Sequence, residues 1–329
     1  VISIALASRE DDAGIRRLLA TNPMPGRVRV RFEREPDYFA GCPAGTQVLV
    51  ARDGARVVGL ACRAIRKLQV NGVAEDVGYL GQLRVDASYR GRFLTARGYG
   101  VMRELHADGR ARGYFTTIVE GNAQAEGVLV RHKRGAMPRY RFLECLYTLA
   151  VPARRSAGTL ARIHHRDTEA QRGTEDAGRN LFPAYAPEGE VITVAGGSAA
   201  IHDQRAWKQT VIDGYDRALG LVRPLYNLVG RVKLPRPNTR LDHAYVTHFQ
   251  AASPEGARML IEALCANAAA RGLDHLLFGF TESDPWLDEA RRFKPVEYVS
   301  SIYTVAFDDA DDFHDRLLAQ PRALDISAL

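Results

Sequence analysis

Apolar and polar positions fall along the chain in blocks that predict an α/β protein. An apolar segment over 1–6 precedes Ser8-Arg9-Glu10-Asp11-Asp12, polar residues that favour a helix start, and Ile15, Leu18 and Leu19 follow at helical spacing. Pro23-Met24-Pro25-Gly26 ends that helix, and a polar arm over 27–39 leads into a strand at 47–51. Asp53-Gly54 and Asn71-Gly72 mark tight turns around strands at 56–65 and 77–85. The pattern is then helical over 94–112, with Met102 and Leu105 on its apolar stripe. A β-branched and aromatic run at 114–119, a helix over 123–134 and an extended segment at 140–151 complete the first half. This order requires a mixed sheet covered by helices.

The second half echoes the first. After a polar, partly helical crossover over 153–177, a strand at 190–195 and a Gly196-Gly197 turn lead to helical segments over 203–219 and 225–229. A strand at 243–249, a helix at 254–270 and Arg271-Gly272 then precede Leu276-Leu277-Phe278-Gly279-Phe280-Thr281, repeating the earlier series of strand, helix, Arg112-Gly113 and Tyr114-Phe115-Thr116-Thr117-Ile118-Val119. Both halves close on similar strands, Tyr147-Thr148-Leu149-Ala150-Val151 and Tyr303-Thr304-Val305-Ala306-Phe307. The ordered series implies two related domains, 1–152 and 189–329, joined by a linker with a helix over 153–188, each with a mixed, mainly antiparallel sheet flanked by helices.

Composition narrows the classes. The 329 residues supply enough apolar content for a sizeable core without disulfides or metals. Cys42, Cys62, Cys145 and Cys265 form no CxxC pair and no spacing with histidine that suggests a metal, so none is expected. No apolar run approaches the roughly 20 residues of a membrane span, and the chain as given opens without a basic-then-apolar export pattern. A cytoplasmic location with no membrane partner is the resulting expectation for this sequence, which begins at Val1. The net charge of +6, carried mostly by arginine, suits a polyphosphate ligand, whereas no zinc-finger spacing or basic-aromatic platform supports nucleic acid as a partner.

Candidate chemistry concentrates at 77–96. A phosphate-rich ligand needs several backbone N–H groups pointing one way, which a helix start directly after a strand supplies. Arg90-Gly91-Arg92-Phe93-Leu94-Thr95-Ala96 fits, because Gly91 permits close approach and the two arginines can neutralise a diphosphate. The stretch Leu83-Arg84-Val85-Asp86-Ala87-Ser88-Tyr89-Arg90-Gly91-Arg92 resembles the central strand and pyrophosphate loop of the GCN5-related N-acetyltransferase (GNAT) superfamily. The strand from Tyr114, with Glu120-Gly121-Asn122-Ala123-Gln124-Ala125 after it, resembles that superfamily's neighbouring strand and helix. The second half resembles the same fold without the loop, which implies two tandem acyl-CoA N-acyltransferase (GNAT-like) domains, the second degenerate.

The resemblance implies roles. It places Leu83, Arg84, Val85, Arg90, Gly91, Arg92, Phe93, Leu94, Thr95, Ala96 and Asn122 at an acetyl-CoA site, with Phe93 and Thr95 at positions where the pattern prefers glycine, or glycine and alanine. The pantetheine arm would lie beside Leu83 and Val85, and a backbone N–H there would face the thioester oxygen. The tyrosine that often protonates the leaving thiolate is replaced by Leu129, leaving His132 and Tyr140 as substitutes. Tyr79 stands where some relatives carry a carboxylate base, although a phenol with an ordinary pKa near 10 is a poor one, and Glu120 is the better carboxylate candidate. Glu33, Glu35 and Asp37 on the polar arm are expected to attract an amine, and residues 203–245 to cover the same cleft. The implied function is direct acetyl transfer to a small-molecule or peptide amine by a monomer or homodimer. The alternative is a catalytically inactive acyl-CoA sensor or scaffold.

Overall fold

A run such as Val48-Leu49-Val50-Ala51 is apolar at every position because the strand that carries it is covered on both faces. In the structure, a computed structural model describing residues 1–24, 26, 28–131, 137–154, 178–229, 234–307 and 312–329, this run lies in β3 (Gln47–Asp53). Val48 and Val50 pack with Ile15, Leu18 and Leu19 of helix α1 (Asp12–Thr21), whereas Leu49 packs with Tyr99 and Met102 of α2 (Leu94–His106) on the opposite face. All of these side chains are buried, each contributing about 1.5–3 kcal/mol for the largest of them.

The remaining strands of the first half are β1 (Ile2–Leu6), β2 (Val28–Glu33), β4 (Arg56–Val70), β5 (Val73–Val85), β6 (Tyr114–Val119) and β7 (Arg139–Pro152). The short helix α3 (Ala123–Glu126) follows β6 and runs on as a π-helical turn to Arg131. The second half contributes β8 (Glu190–Val194), β9 (Gly197–His202), β10 (Gln209–Tyr215), β11 (His243–Ala251), β12 (His275–Thr281) and β13 (Val296–Ala306). Its helices are α4 (Arg217–Val229), α5 (Pro254–Ala270), α6 (Leu287–Arg291) and α7 (Phe313–Leu318).

Among the described residues, eleven strands form one sheet in the order β1-β3-β4-β5-β6-β13-β7-β12-β11-β9-β8, parallel only at β5/β6 and β11/β12. The expected mixed, mainly antiparallel character is present, but in one continuous sheet instead of two. The reason lies in the closing strands: β7 and β13 pair with each other along nearly their whole length, so β13 sits between β6 and β7 and neither leaves an open edge. Outward from that central pair the strand order reads alike on both sides.

One expectation needs correction. The segment over 203–219 is not helical until Arg217, where α4 begins: Gln209–Tyr215 forms β10, which pairs antiparallel with β2 in a separate two-stranded sheet. Within the polar arm, Val28, Val30 and Phe32 alternate with Arg29, Arg31 and Glu33 as the other strand of that ribbon. The crossover reading over 155–177 lies outside the described residues. Among the described residues, no helix is long and apolar enough to cross a membrane.

Candidate active site

The site forms where two parallel strands part. β5 and β6 pair at only two positions, Gly78↔Tyr114 and Tyr79↔Phe115. Gly78 is needed at this fork, since a Cβ there would lie 2.2 Å from the Tyr114 ring. That ring is fixed in turn by the fully buried Arg63, whose Nε donates to the Tyr114 hydroxyl at 2.9 Å while its two terminal nitrogens hold Asp108 at 2.7 and 2.8 Å. Arg63 holds the Asp108 carboxyl down to about 2.

Beyond Tyr79, β5 kinks. Cys62 faces Gly81 and Leu60 faces Arg84, so the register slips by one residue, and Gln82 adopts φ +56°. This is a β-bulge, which leaves the ladder locally unpaired and re-aims the strand. Gln82 is held there by the hydroxyl of the buried Tyr38, which donates to its Oε1 at 2.8 Å. The wedge between the strands opens into a cavity of about 790 Å³, lined by Leu83, Arg84 and Val85 on one side and by Ile118, Glu120 and Asn122 on the other.

At the outer end of the wedge stands α2. Its first-turn amides, on Leu94, Thr95 and Ala96, are donors that a helix leaves without internal acceptors, and the residue before them, Phe93, makes no side-chain cap. Arg90, Leu94 and Thr95 line the cavity, while Gly91, Arg92, Phe93 and Ala96 complete the turn without lining it. Gly91 has φ +80° with open space around it. Phe93 occupies the left-handed region at φ 56°, ψ 19°, which explains why the pattern prefers glycine there, and its ring is 79% exposed, leaving the turn open. Arg92 stacks on Tyr89, 4.7 Å from the ring centre.

The proposed catalytic groups separate. Tyr79 lines the cavity and lies 3.3 Å from the Thr117 hydroxyl; burial pushes its pKa up to about 12, so it stays protonated and is a donor, not a base. Glu120 is exposed at the cavity wall, its N–H donating to Val299. Tyr140 does not line the cavity; it is half-buried against Tyr99, with their hydroxyls hydrogen-bonded. His132 lies outside the described residues. Asn122 lines the cavity and also caps α3, its Oδ1 accepting from Ala125 N–H at 3.2 Å. Leu129 is buried among apolar neighbours. The acidic arm does not present free charge: Arg16 holds Glu35, Arg9 holds Asp37, and Arg31 and Arg240 hold Glu33.

The inner cavity is built by residues that sequence alone does not connect. The β2/β10 ribbon roofs it through Val28, Val30, Phe32, Thr210 and Ile212, as expected for a cover from 203–245. Arg34, Arg84 and Lys208 bring cations to its walls. Burial pushes Lys208 well below the ordinary lysine range, with the Arg34 charge adding to the effect, and burial lowers Arg84. Burial depresses His243, on the same wall, to about 4 and raises Tyr298 to about 12.

The β11/β12 pair has the same outline, with three parallel pairs, a register slip and His248 at φ 55°. Its wedge, however, is filled by Phe249, Phe278 and Phe280, whose ring centres lie 5.4–6.1 Å apart. Ser253 caps the following helix, α5, by accepting from Gly256 N–H. Among the described residues, no group of three or more His, Cys, Asp or Glu is placed to hold a metal ion.

No family model matches the sequence, and no curated protein matches it. Solved structures do. N-myristoyltransferase of Saccharomyces cerevisiae with bound myristoyl-CoA aligns over 92% of this chain and 82% of its own, with 11% identity and a TM-score of 0.57. A second structure of that enzyme with myristoyl-CoA aligns over 93% and 79%, with 12% identity and a TM-score of 0.52. A protein of unknown function from Enterococcus faecalis, named "Probable N-Acyltransferase", aligns over 93% and 73% with 9% identity and a TM-score of 0.47. At such identities the likeness is one of fold alone: this chain shares the fold of those N-myristoyltransferase structures.

Proposed function

We propose that this protein is an acyl-CoA-dependent N-acyltransferase whose donor lies in the β5/β6 wedge. The carrying observation is the parting of these strands after two pairs, opening a cavity of about 790 Å³ that leads from the Arg90 turn to the sheet interior. A volume of this size falls within the roughly 300–1,000 Å³ of small-ligand sites. In this reading Arg90 and the α2 amides hold the diphosphate, and the pantetheine arm takes the place of a strand beside Leu83–Val85. Attack by a neutral amine then moves charge to the thioester oxygen, where a backbone N–H at the kink would receive it.

Acetyl-CoA is the smallest donor that satisfies this reading. The cavity continues past the kink to Met24, Phe32, Ile212 and Tyr215, which favours donors with a longer acyl chain, as the myristoyl-CoA bound by the structurally similar enzyme also suggests. We retain the division into units 1–152 and 189–329 as part of this proposal, with the second wedge inactive because aromatic rings fill it. A second reading, binding without turnover, draws on the buried Leu129 where the resemblance places a tyrosine acid, and on the engagement of the Tyr140 hydroxyl by Tyr99 outside the cavity.

The test is calorimetric titration with CoA, acetyl-CoA and myristoyl-CoA, followed by thiol release with a panel of amines. Arg90→Ala should weaken CoA binding about tenfold or more, the loss of one charge-assisted hydrogen bond, with an unchanged melting temperature. Equal CoA affinity in the variant would remove this turn from the site.

A further inference from the structure

Behind the first cavity lies a second chamber of about 400 Å³. The two meet at Arg34, Cys62, Tyr79, Gln82, Lys208 and Leu329, which line both. Four buried polar atoms on the wall of this chamber have no hydrogen-bond partner among the described residues: Arg34 Nε, Arg66 Nε, Thr46 Oγ1 and Gln204 Oε1. Buried polar atoms are nearly always satisfied, and an unpaired buried charge is among the costliest features a fold can keep. All four belong to side chains that line this one chamber, Arg34 among them.

Charge indicates which kind of occupant the chamber suits. Three cations, Arg34, Arg66 and Lys208, line the chamber together with Glu188, Asp325 and Leu329, the last residue of the sequence given. Both side-chain carboxylates are already engaged, Glu188 with His202 Nε2 at 3.3 Å and Asp325 with Thr247 Oγ1 at 2.8 Å, the Tyr185 hydroxyl at 3.2 Å and Ser327 N–H at 2.9 Å. Arg66 donates a long bond, 3.5 Å, to the Ala328 carbonyl and lies over the Tyr185 ring. Lys208 donates to the Leu329 main-chain oxygen at 2.9 Å and sits 4.6 Å from the centre of the Tyr245 ring. Arg34, 8% exposed, stands at the junction, and among the described residues no carboxylate reaches it.

We propose that this chamber holds the acceptor, and that the acceptor is a small primary amine bearing a carboxylate, an amino acid by chemical class, whose carboxylate is received by Arg34. A guanidinium matches a carboxylate in planar, two-point geometry, which an ammonium does not. Anchored there, the amine is directed toward Tyr79 and Gln82, where β5 leaves β6. For the reaction, this rests on the acyl-transfer reading of the first cavity. The amine lone pair then forms a C–N bond to the thioester carbon, the C–S bond breaks, and the proton released by the amine ends on the departing thiolate, giving an N-acyl amino acid and CoA.

The test uses the full chain loaded with CoA, and Arg34→Met and Arg34→Lys variants. The common amino acids, their amides and phosphoethanolamine are titrated calorimetrically, and each is then tried as acceptor in thiol release from acyl-CoA. At least one amino acid should bind, its amide about 10- to 100-fold more weakly, the worth of a charged hydrogen-bond pair. Arg34→Met should erase that difference, and Arg34→Lys should restore part of it. With no acceptor present, Arg34→Met should melt at the same temperature or higher, because a buried unpaired charge has been removed; a residue with a structural role would melt lower. Equal binding of amino acids and amides, no amino-acid binding, or a preference for phosphoethanolamine would overturn the proposal. Arg34-dependent binding without thiol release would instead overturn the transfer reading and leave the chamber's specificity standing. Thiol release indifferent to the carboxylate would do the reverse.

Discussion

Lowering the pH from 7.5 to 4 should destabilise the protein through His243. This histidine is 4% exposed, its Nδ1 lies 3.2 Å from the Leu241 carbonyl oxygen, and its ring packs against Tyr245. Burial depresses its pKa from 6.5 to about 4. The unfolded chain therefore takes up a proton near pH 6.5 that the folded chain refuses until about pH 4. Between those values the unfolded state binds more protons, so stability falls as pH falls, and below the folded value the loss is complete. At 1.36 kcal/mol per unit, the full loss is about 3 kcal/mol. The assay is urea denaturation of the wild type and His243→Gln at pH 7.5, 6.5, 5.5 and 4.5. Histidines 202, 248 and 275 are also depressed by burial and add to the slope in both proteins, so the difference between the curves isolates residue 243. That difference should shift by up to about 3 kcal/mol in favour of the variant across the range. A difference independent of pH would show that the imidazole is not held neutral by burial at this wall of the cavity.

Asp108→Ala should cost about 3–5 kcal/mol in urea denaturation, because it strands the fully buried Arg63 guanidinium. The wild-type contribution of this carboxylate should persist above pH 4 and fade as the pH falls through about 2. Phe93→Gly relieves a left-handed residue worth roughly 1–2 kcal/mol, offset by about 0.5–1 kcal/mol of glycine's extra chain entropy. Since the ring is 79% exposed, thermal melting should show an unchanged or slightly more stable protein, with CoA affinity undiminished. A lower melting temperature would mean that the ring holds the turn together.

What periodicity and local chemistry could reveal, they did. The strand at 114–119 and the helix at 254–270 match the structure end to end, because β-branched and aromatic runs or an uninterrupted apolar stripe decide local conformation before any tertiary contact forms. The turn from Arg90 to Ala96 was legible for the same reason: a strand, a glycine and a helix start are adjacent in sequence, and their exposed amides follow from backbone geometry alone. The strand Gln209–Tyr215 was not legible, since its partner is the arm at Val28–Glu33, far away along the chain. Nor could sequence show that the Tyr140 hydroxyl is bonded to that of Tyr99, or that Glu33, Glu35 and Asp37 are each taken by an arginine.

Thus the chain's own order determined that there is a helix-starting turn suited to a diphosphate directly after a strand, through interactions between near neighbours. Tertiary structure alone decided which wedge stays open, because filling the second one required Phe249 from β11 and Phe278 and Phe280 from β12 to converge. It also decided the charge of the inner chamber. Arg34, Arg66 and Lys208 come from three separate stretches, and their shared environment exists only once the sheet and its roof enclose them, where desolvation replaces sequence distance as the quantity that sets their energies.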